Sequence, residues 1–263
     1  MKIEVELTSG KREVELPLRI VSDWHMGHPA SRVGSVERMF ILLEGVGTLI
    51  MAGDGREELV VGWRQQADEM WDELLRACEE RGIEVISLTG NHDPDVSEEG
   101  WLLCDEGRIF VTHGDLFYET ASPWSCKLFA FREEVTAMVK EARKETLEDR
   151  WRLAVRIGRF LRPAKPLSAN LLVQIYKAVW PPDRLLAIRH TWADFPRQAC
   201  EFVDCYVPGV ETVVCGHFHR MGDFRRGGKR VLNLGAMHKF SRAAVVDFDG
   251  ESLEMKGVRE FGI

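Results

Sequence analysis

The chain has 263 residues, 45% apolar and 29% charged. This is enough to bury the core of one α/β domain with a large insertion, and it excludes a disordered, collagen-like or coiled-coil protein. Forty-two acidic against 35 basic residues leave a net charge of −7, which argues against broad electrostatic capture of nucleic acid. No apolar run reaches the roughly 18 residues of a membrane-spanning helix, and Met1-Lys2-Ile3-Glu4-Val5-Glu6 lacks a basic-then-apolar export signal. A cytoplasmic location is therefore expected.

In chain order, Ile3 to Leu16 reads as a hairpin turning at Ser9-Gly10. Short apolar runs rich in β-branched residues follow at Leu18 to Val21, Thr48 to Met51, Ile83 to Leu88, Arg108 to Thr112 and Thr212 to Cys215, each the pattern of a buried strand. Helical stretches lie between the first of them, at Ser35 to Leu43 and Glu57 to Arg81. The second repeats apolar residues from Leu59 and Trp63 to Leu74 and Leu75 at helical spacing. Strand alternating with helix predicts a largely parallel sheet. The tail, with Lys229 to Leu234, Ala243 to Phe248 and Ser252 to Val258 around turns such as Asp249-Gly250, predicts closing antiparallel strands.

Residues 116–211 break this rhythm and read as helical throughout, with Glu133 to Leu161 amphipathic and Pro163, Pro166, Pro181 and Pro182 as punctuation. This stretch holds 15 basic and 12 acidic residues, so it carries +3 and the remainder −10. The expected organisation is a core of residues 1–115 and 212–263 interrupted by a helical insertion at 116–211. Six widely spaced cysteines without a Cys-x-x-Cys pair predict reduced, mostly buried thiols rather than a zinc knuckle or disulfide scaffold.

Polar residues gather where the predicted strands end. Asp23-Trp24-His25 follows the first, Gly53-Asp54 the second, Gly90-Asn91-His92-Asp93 the third, His113-Gly114-Asp115 the fourth and Gly216-His217-Phe218-His219 the fifth. Parallel strands deliver such ends to one edge, where α/β folds place their sites. Residues two apart in extended chain point the same way, so Asp23 with His25, and His217 with His219, can converge. With His92 set aside, Asp23, Asp54, Asn91, His25, His113, His217 and His219 are too many for one tetrahedral zinc. They suit two adjacent divalent ions sharing a carboxylate. Two such ions against two aspartates and a hydroxide leave about +1, which attracts a phosphate. A set without thiolate favours Mn, above all, or Fe or Zn.

These five segments, in this order, resemble the calcineurin-like metallophosphoesterase superfamily, whose pattern is Asp-x-His, Gly-Asp-x-x-Asp/Glu, Gly-Asn-His-Asp/Glu, His and Gly-His-x-His. The resemblance covers about residues 18–115 and 212–250. It implies a four-layer αββα sandwich and a two-metal hydrolase of phosphate esters or pyrophosphates. Carried over, Asp23, His25 and His219 hold one metal, Asn91, His113 and His217 the other, and Asp54 bridges them. His92 is then a catalytic residue rather than a ligand, protonating the leaving oxygen or stabilising phosphoryl charge, with Asp93 holding its imidazole. Glu57 fits the acidic end of the second motif, behind the metals. Asn233-Leu234-Gly235 is similar to a late family segment that packs near them.

The His113-Gly114-Asp115 form, followed by a helical insertion and then Gly216-His217-Phe218-His219-Arg220, is similar to the bacterial UDP-2,3-diacylglucosamine pyrophosphatase branch, although that branch commonly carries Arg where this chain has His92. The expected partner is a phosphorylated small-molecule or lipid-linked substrate. Peripheral membrane contact is compatible with it; a nucleic acid is not favoured. The alternative is a non-catalytic interaction module that binds a partner through its insertion.

Smaller expectations attach to single residues. His28 and His238 are expected as solvated loop residues, the alternative being a place close to the pocket, and His190 as a surface imidazole. Asp115 either orients His113 or caps a turn. Arg152, Arg156 and Arg159 read as a solvated helix face, with a substrate clamp as the alternative. Trp124, Trp151, Trp180 and Trp192 are expected to form the core of a helical subdomain, the alternative being an apolar groove.

Overall fold

A computed structural model of the chain describes residues 1–161 and 182–263. The expected hairpin is present as β1 (Lys2–Leu7) and β2 (Gly10–Glu15), paired in register from Lys2 with Glu15 to Leu7 with Gly10. The apolar runs form β3 (Leu18–Val21), β4 (Thr48–Ala52) and β5 (Glu84–Leu88), which lie parallel to one another. Beside β3, β11 (Ala244–Phe248) and β12 (Leu253–Gly257) complete a five-stranded sheet in the order β12-β11-β3-β4-β5.

There are two sheets, as the αββα sandwich implies, and each is mixed rather than largely parallel. The second has seven strands, formed by β6 (Trp101–Cys104), β7 (Ile109–Thr112), β8 (Thr212–Cys215), β9 (Gly222–Arg226) and β10 (Lys229–Asn233) with the hairpin, in the order β2-β1-β6-β7-β8-β10-β9. Of the tail strands, β11 and β12 are antiparallel as expected, whereas β10 runs parallel to β8. The seven-stranded sheet thus has a parallel centre and antiparallel margins, whereas the five-stranded sheet is parallel from β3 to its β5 edge and antiparallel on the side of β11 and β12.

Both faces of the central strands are covered, which explains their unbroken apolar runs. On β4, Ile50 and Ala52 meet the other sheet, while Leu49 and Met51 face the 3-10 helix Glu37–Leu43 and helix α1 (Val61–Glu79). On β8, Val214 lies between the sheets, and Val213 and Cys215 face the outer helical layer. Helix, sheet, sheet and helix form four layers.

The outer layer over the seven-stranded sheet comes largely from residues 116–211. They are less uniformly helical than expected. After an irregular stretch come α2 (Cys126–Ala130), α3 (Arg132–Glu141), α4 (Leu147–Phe160) and α5 (Pro182–Tyr206). The amphipathic Glu133 to Leu161 is two helices, because Thr146 and Asp149 form a capping box that starts α4 afresh. Pro182 is the first described residue of α5, and Pro196 lies inside it. Pro163, Pro166, Pro181 and Trp180 lie outside the described residues.

A small apolar cluster joins α3 and α4 through Val135, Val139, Leu153 and Ile157. Among the described tryptophans, Trp124, Trp151 and Trp192 are not part of it; Trp124 and Trp151 pack against the cluster between the helices and the seven-stranded sheet. Trp151 donates Nε1–H to Thr89 Oγ1 (2.8 Å) and Trp192 donates to the Phe218 carbonyl (2.8 Å), so both tie helices to loops of the sandwich. Cys78, Cys104, Cys200 and Cys215 are buried thiols, as expected, and Cys205 is exposed. No described helix is long and apolar enough to cross a membrane.

Candidate metal centre

All five polar segments lie just beyond strand ends. Asp23 and His25 follow β3, Asp54 follows β4 and Asn91 follows β5, all on the five-stranded sheet; His113 follows β7, and His217 and His219 follow β8 of the other. Abrupt turns aim these side chains inward. Asp23, His25, Asp54, His217 and His219 all adopt positive φ (54°, 47°, 52°, 67° and 53°), a region that costs a non-glycine residue about 1–3 kcal/mol. The glycines beside them permit close approach. A Cβ on Gly53 would sit 2.6 Å from the His113 ring, and one on Gly216 would collide with the Asp23 carboxylate.

The donors form two groups. In one, His219 Nε2 lies 3.1 Å from Asp23 Oδ1 and 3.3 Å from His25 Nε2. In the other, His113 Nε2 lies 3.1 Å from His217 Nδ1 and 3.2 Å from Asn91 Oδ1. Between them is one oxygen, Asp54 Oδ2, 3.3 Å from His113 Nε2 and 3.9 Å from His25 Nε2. The remaining atoms of these side chains are anchored by protein. Asp54 Oδ1 accepts the His92 N–H (2.7 Å), and Asp23 Oδ2 accepts the Ser22 hydroxyl (2.6 Å) and the His217 N–H (2.9 Å).

The imidazoles show the same division. His113 donates Nδ1–H to the Ala52 carbonyl (3.2 Å), His217 donates Nε2–H to the Ala121 carbonyl (3.1 Å) and His25 donates Nδ1–H to Glu57 Oε1 (2.9 Å). With these protons committed outward, the inward nitrogens are the ones a metal would take in place of a proton, and such outer hydrogen bonds are what orient metal-binding histidines. Asp23 Oδ1 is buried and takes no well-formed hydrogen bond, despite His219 nearby. Imidazole nitrogens facing each other beside an unsatisfied carboxylate oxygen fit divalent cations. Candidate metal-binding clusters are therefore present, among them Asp23-His25-Asp54 and Asp54-His113-His217.

The electrostatics agree. Burial opposes charge on His25, yet the Asp23, Glu57 and Asp54 carboxylates hold it well above the usual imidazole range. Burial likewise opposes charge on His113, and Asp54 and Asp23 lift it to about 10. Burial and the neighbouring His113 push His217 down to about 3. The field that retains protons on His25 and His113 also draws a cation.

The calcineurin-like phosphoesterase family model matches residues 16–221. The chain belongs to this family. No curated protein matches by sequence. Similar solved structures include a dimetal phosphatase from Danio rerio (12% identity, TM-score 0.46, 93% of this chain and 96% of that one). Another is the phosphoesterase Yfce from E. coli (17% identity, TM-score 0.40, 90% and 91%). A third is Vps29 with zinc from Entamoeba histolytica (13% identity, TM-score 0.36, 92% and 98%). The four-layer sandwich is the family's fold, and the family accounts for the hydrolase class.

Within this phosphoesterase fold, one expected role changes hands. Asp93 does not hold His92. Its carboxylate accepts backbone N–H groups of Asp54 (2.8 Å), Gly55 (2.8 Å), Gly90 (3.0 Å) and Arg56 (3.3 Å), and so pins the Asp54 turn to the Gly90 turn. Burial and the adjacent Asp54 raise Asp93 to about 7 even so. The partner of His92 is Glu57, whose Oε2 meets Nδ1 at 3.1 Å. Glu57 therefore touches both His25 and His92. His92 is one-third exposed, its Nε2 takes no hydrogen bond among the described residues, and the Glu57 and Asp54 carboxylates raise it against the opposing effect of burial.

His28 and His238 are half-buried beside the site, the alternative for them, rather than solvated loop residues. His238 stacks on His25 (ring centroids 4.7 Å apart, planes at 28°) and lies 5.1 Å from His219, with its Nδ1 buried and unpartnered. His28 lies 5.0 Å from His238 and packs edge-on to Trp63. The Met237 N–H donates to the Asp23 carbonyl (3.0 Å), which brings this loop to the site. Its closeness in sequence to Asn233-Leu234-Gly235 was the available signal. Asn233 itself donates to the Gly216 carbonyl and so braces the His217 turn. Asp115 accepts from the backbone of its own turn and acts on His113 through its charge. Arg152, Arg156 and Arg159 are exposed and paired with Glu148, Glu141 and Asp95, as a solvated face requires, and His190 is exposed.

Proposed function

We propose that the chain is a two-metal phosphoesterase that hydrolyses a phosphate ester or pyrophosphate bond of a small or lipid-linked molecule. Asp23, His25 and His219 would hold one ion, Asn91, His113 and His217 the other. The observation that carries this reading is the single oxygen of Asp54 set between two otherwise separate donor groups. Two divalent ions would supply Lewis-acid charge for the phosphoryl oxygens and acidify a water for attack at neutral pH. Mn suits the nitrogen and oxygen donors, and Fe or Zn are the competitors.

The chain's own residues supply the rest. Glu57 orients His25 through Nδ1 and, with its other oxygen, fixes the His92 ring so that Nε2 faces the open side. Held in its protonated form by Glu57 and Asp54, His92 gives the Nε2 proton to the departing oxygen, or steadies phosphoryl charge if it keeps it. Residues 116–211, taken as an insertion, wall the site through Trp124, whose ring lies 4.8 Å from His217.

The test combines metal analysis with a substrate panel. About two transition ions per chain are expected, with Mn-dependent turnover of p-nitrophenyl phosphate, bis-p-nitrophenyl phosphate or a UDP-sugar pyrophosphate. A fully metallated protein silent on the whole panel would replace this reading with a non-catalytic interaction module.

A further inference from the structure

Beside the metal centre, on the far side of His28, lies a cleft of about 690 Å³ between the loop following β3, the first turn of α1 and the loop carrying Lys239. Three cations line it, Arg32, Arg38 and Lys239, together with His28, Trp63 and Gln66, and no Asp or Glu side chain does. Ile263 lies at its rim. On a chain of net charge −7, an unbalanced cationic cleft next to the site is not the average surface. The other large cleft, along α4, shows the contrast, because there each arginine faces a carboxylate.

The cations are placed rather than merely tethered. Arg32 donates its backbone N–H to the Met237 carbonyl (2.6 Å), and Lys239 donates its own to the Ala30 carbonyl (2.9 Å). The two loops are thus laced together, with a further bridge between Ser31 and His238. Arg32 Nε is buried with no hydrogen-bond partner, and no described carboxylate pairs with the Arg32 or Arg38 guanidinium. Arg32 is half-buried with only its Nε cut off from water, and an oxyanion is the group whose geometry matches an unpaired guanidinium. The path to the metals is lined by imidazoles: His28 and His25 centroids are 6.2 Å apart, and His238 touches both.

We propose that this cleft binds a second anionic group of the substrate, a phosphate carried beyond the bond that is cut, so that the natural substrates are small molecules with two phosphoryl groups. The proposal rests on the phosphoesterase reading for the first of them. Arg32 and Arg38 grip the remote phosphate, Lys239 adds charge at the mouth, and Trp63 packs against the connecting part. Simple monoesters leave the cleft unused.

The probe is a series of α,ω-alkylene bisphosphonates of increasing length, with methylphosphonate as the one-anion control, titrated calorimetrically into the Mn-loaded full chain. One member is expected to bind at least tenfold tighter than methylphosphonate. In the double variant Arg38→Gln/Lys239→Gln, both exposed positions, that gain falls to within twofold while methylphosphonate affinity is unchanged. If no length gains more than twofold, or the gain survives in the double variant, the proposal is overturned. Neither readout needs turnover, so failure here is separable from failure of the phosphoesterase reading, which shows as absent hydrolysis across the panel.

Discussion

Glu57 holds two imidazoles with different work, and its two oxygens allow them to be separated. His92→Ala leaves every candidate ligand and its outer hydrogen bond in place, so metal content should hold while kcat falls by about 10²–10⁴, the range of a general acid. An unchanged rate would remove His92 from the reaction. Glu57→Gln disturbs His25 as well, so metal affinity should drop about 10–100-fold, as when such an outer partner is lost, and metal titration reads this directly. Asp93 belongs to a third kind. Asp93→Ala strips an acceptor from buried N–H groups of Asp54, Gly55 and Gly90. At about 1–3 kcal/mol for each buried donor left unpaired, urea unfolding should show a loss of about 3 kcal/mol or more. A variant of undiminished stability with a crippled rate would return Asp93 to the role of His92's holder.

Strand ends make the site, and the junctions are where packing is least forgiving. Gly216 passes so close to Asp23 and Ser22 that a Cβ has no room. Gly216→Ala should displace the Asp23 carboxylate, lower metal content and cost about 1–3 kcal/mol of overpacking; a variant with full metal content and an unchanged unfolding midpoint would refute this account of the turn. The strands whose ends matter were legible because each is a short apolar run stopped by Gly, Asp or His, and the order of those stops carries the family. Less was legible where a strand has no such contrast. β9 is Gly-Asp-Phe-Arg-Arg at a sheet edge, mostly exposed, and β6 is four residues between turns, so neither has a period to read. The parallel pairing of β10 depends on its partner, not on its own composition. The exchange of Asp93 for Glu57 at His92 was hidden for a similar reason. Adjacency in sequence favoured Asp93, whereas the turn at Gly90 points it back into the backbone.

The whole molecule is two sheets held together by the apolar interior, by ties from α4 to the segment after β5 such as Trp151 to Thr89 and Arg159 to Asp95, and, at one end, by the candidate donors. Asp23, His25, Asp54 and Asn91 come from the five-stranded sheet, and His113, His217 and His219 from the seven-stranded one. Each donor group takes members from both sheets, so an ion in either position links them. Such binding stabilises the folded chain alone, because the seven groups are dispersed from residue 23 to residue 219 when it unfolds. At 100 times the dissociation constant the gain is about 2.7 kcal/mol per site. For a chain of this size each kcal/mol moves Tm by about 2–4 °C. Scanning calorimetry should therefore find Mn raising Tm by about 5–10 °C per occupied site, with EDTA reversing the shift. Asp54→Ala removes the oxygen shared by both groups and should abolish most of it. A Tm indifferent to Mn and EDTA in the unaltered chain would mean that the two sheets are not joined through these residues.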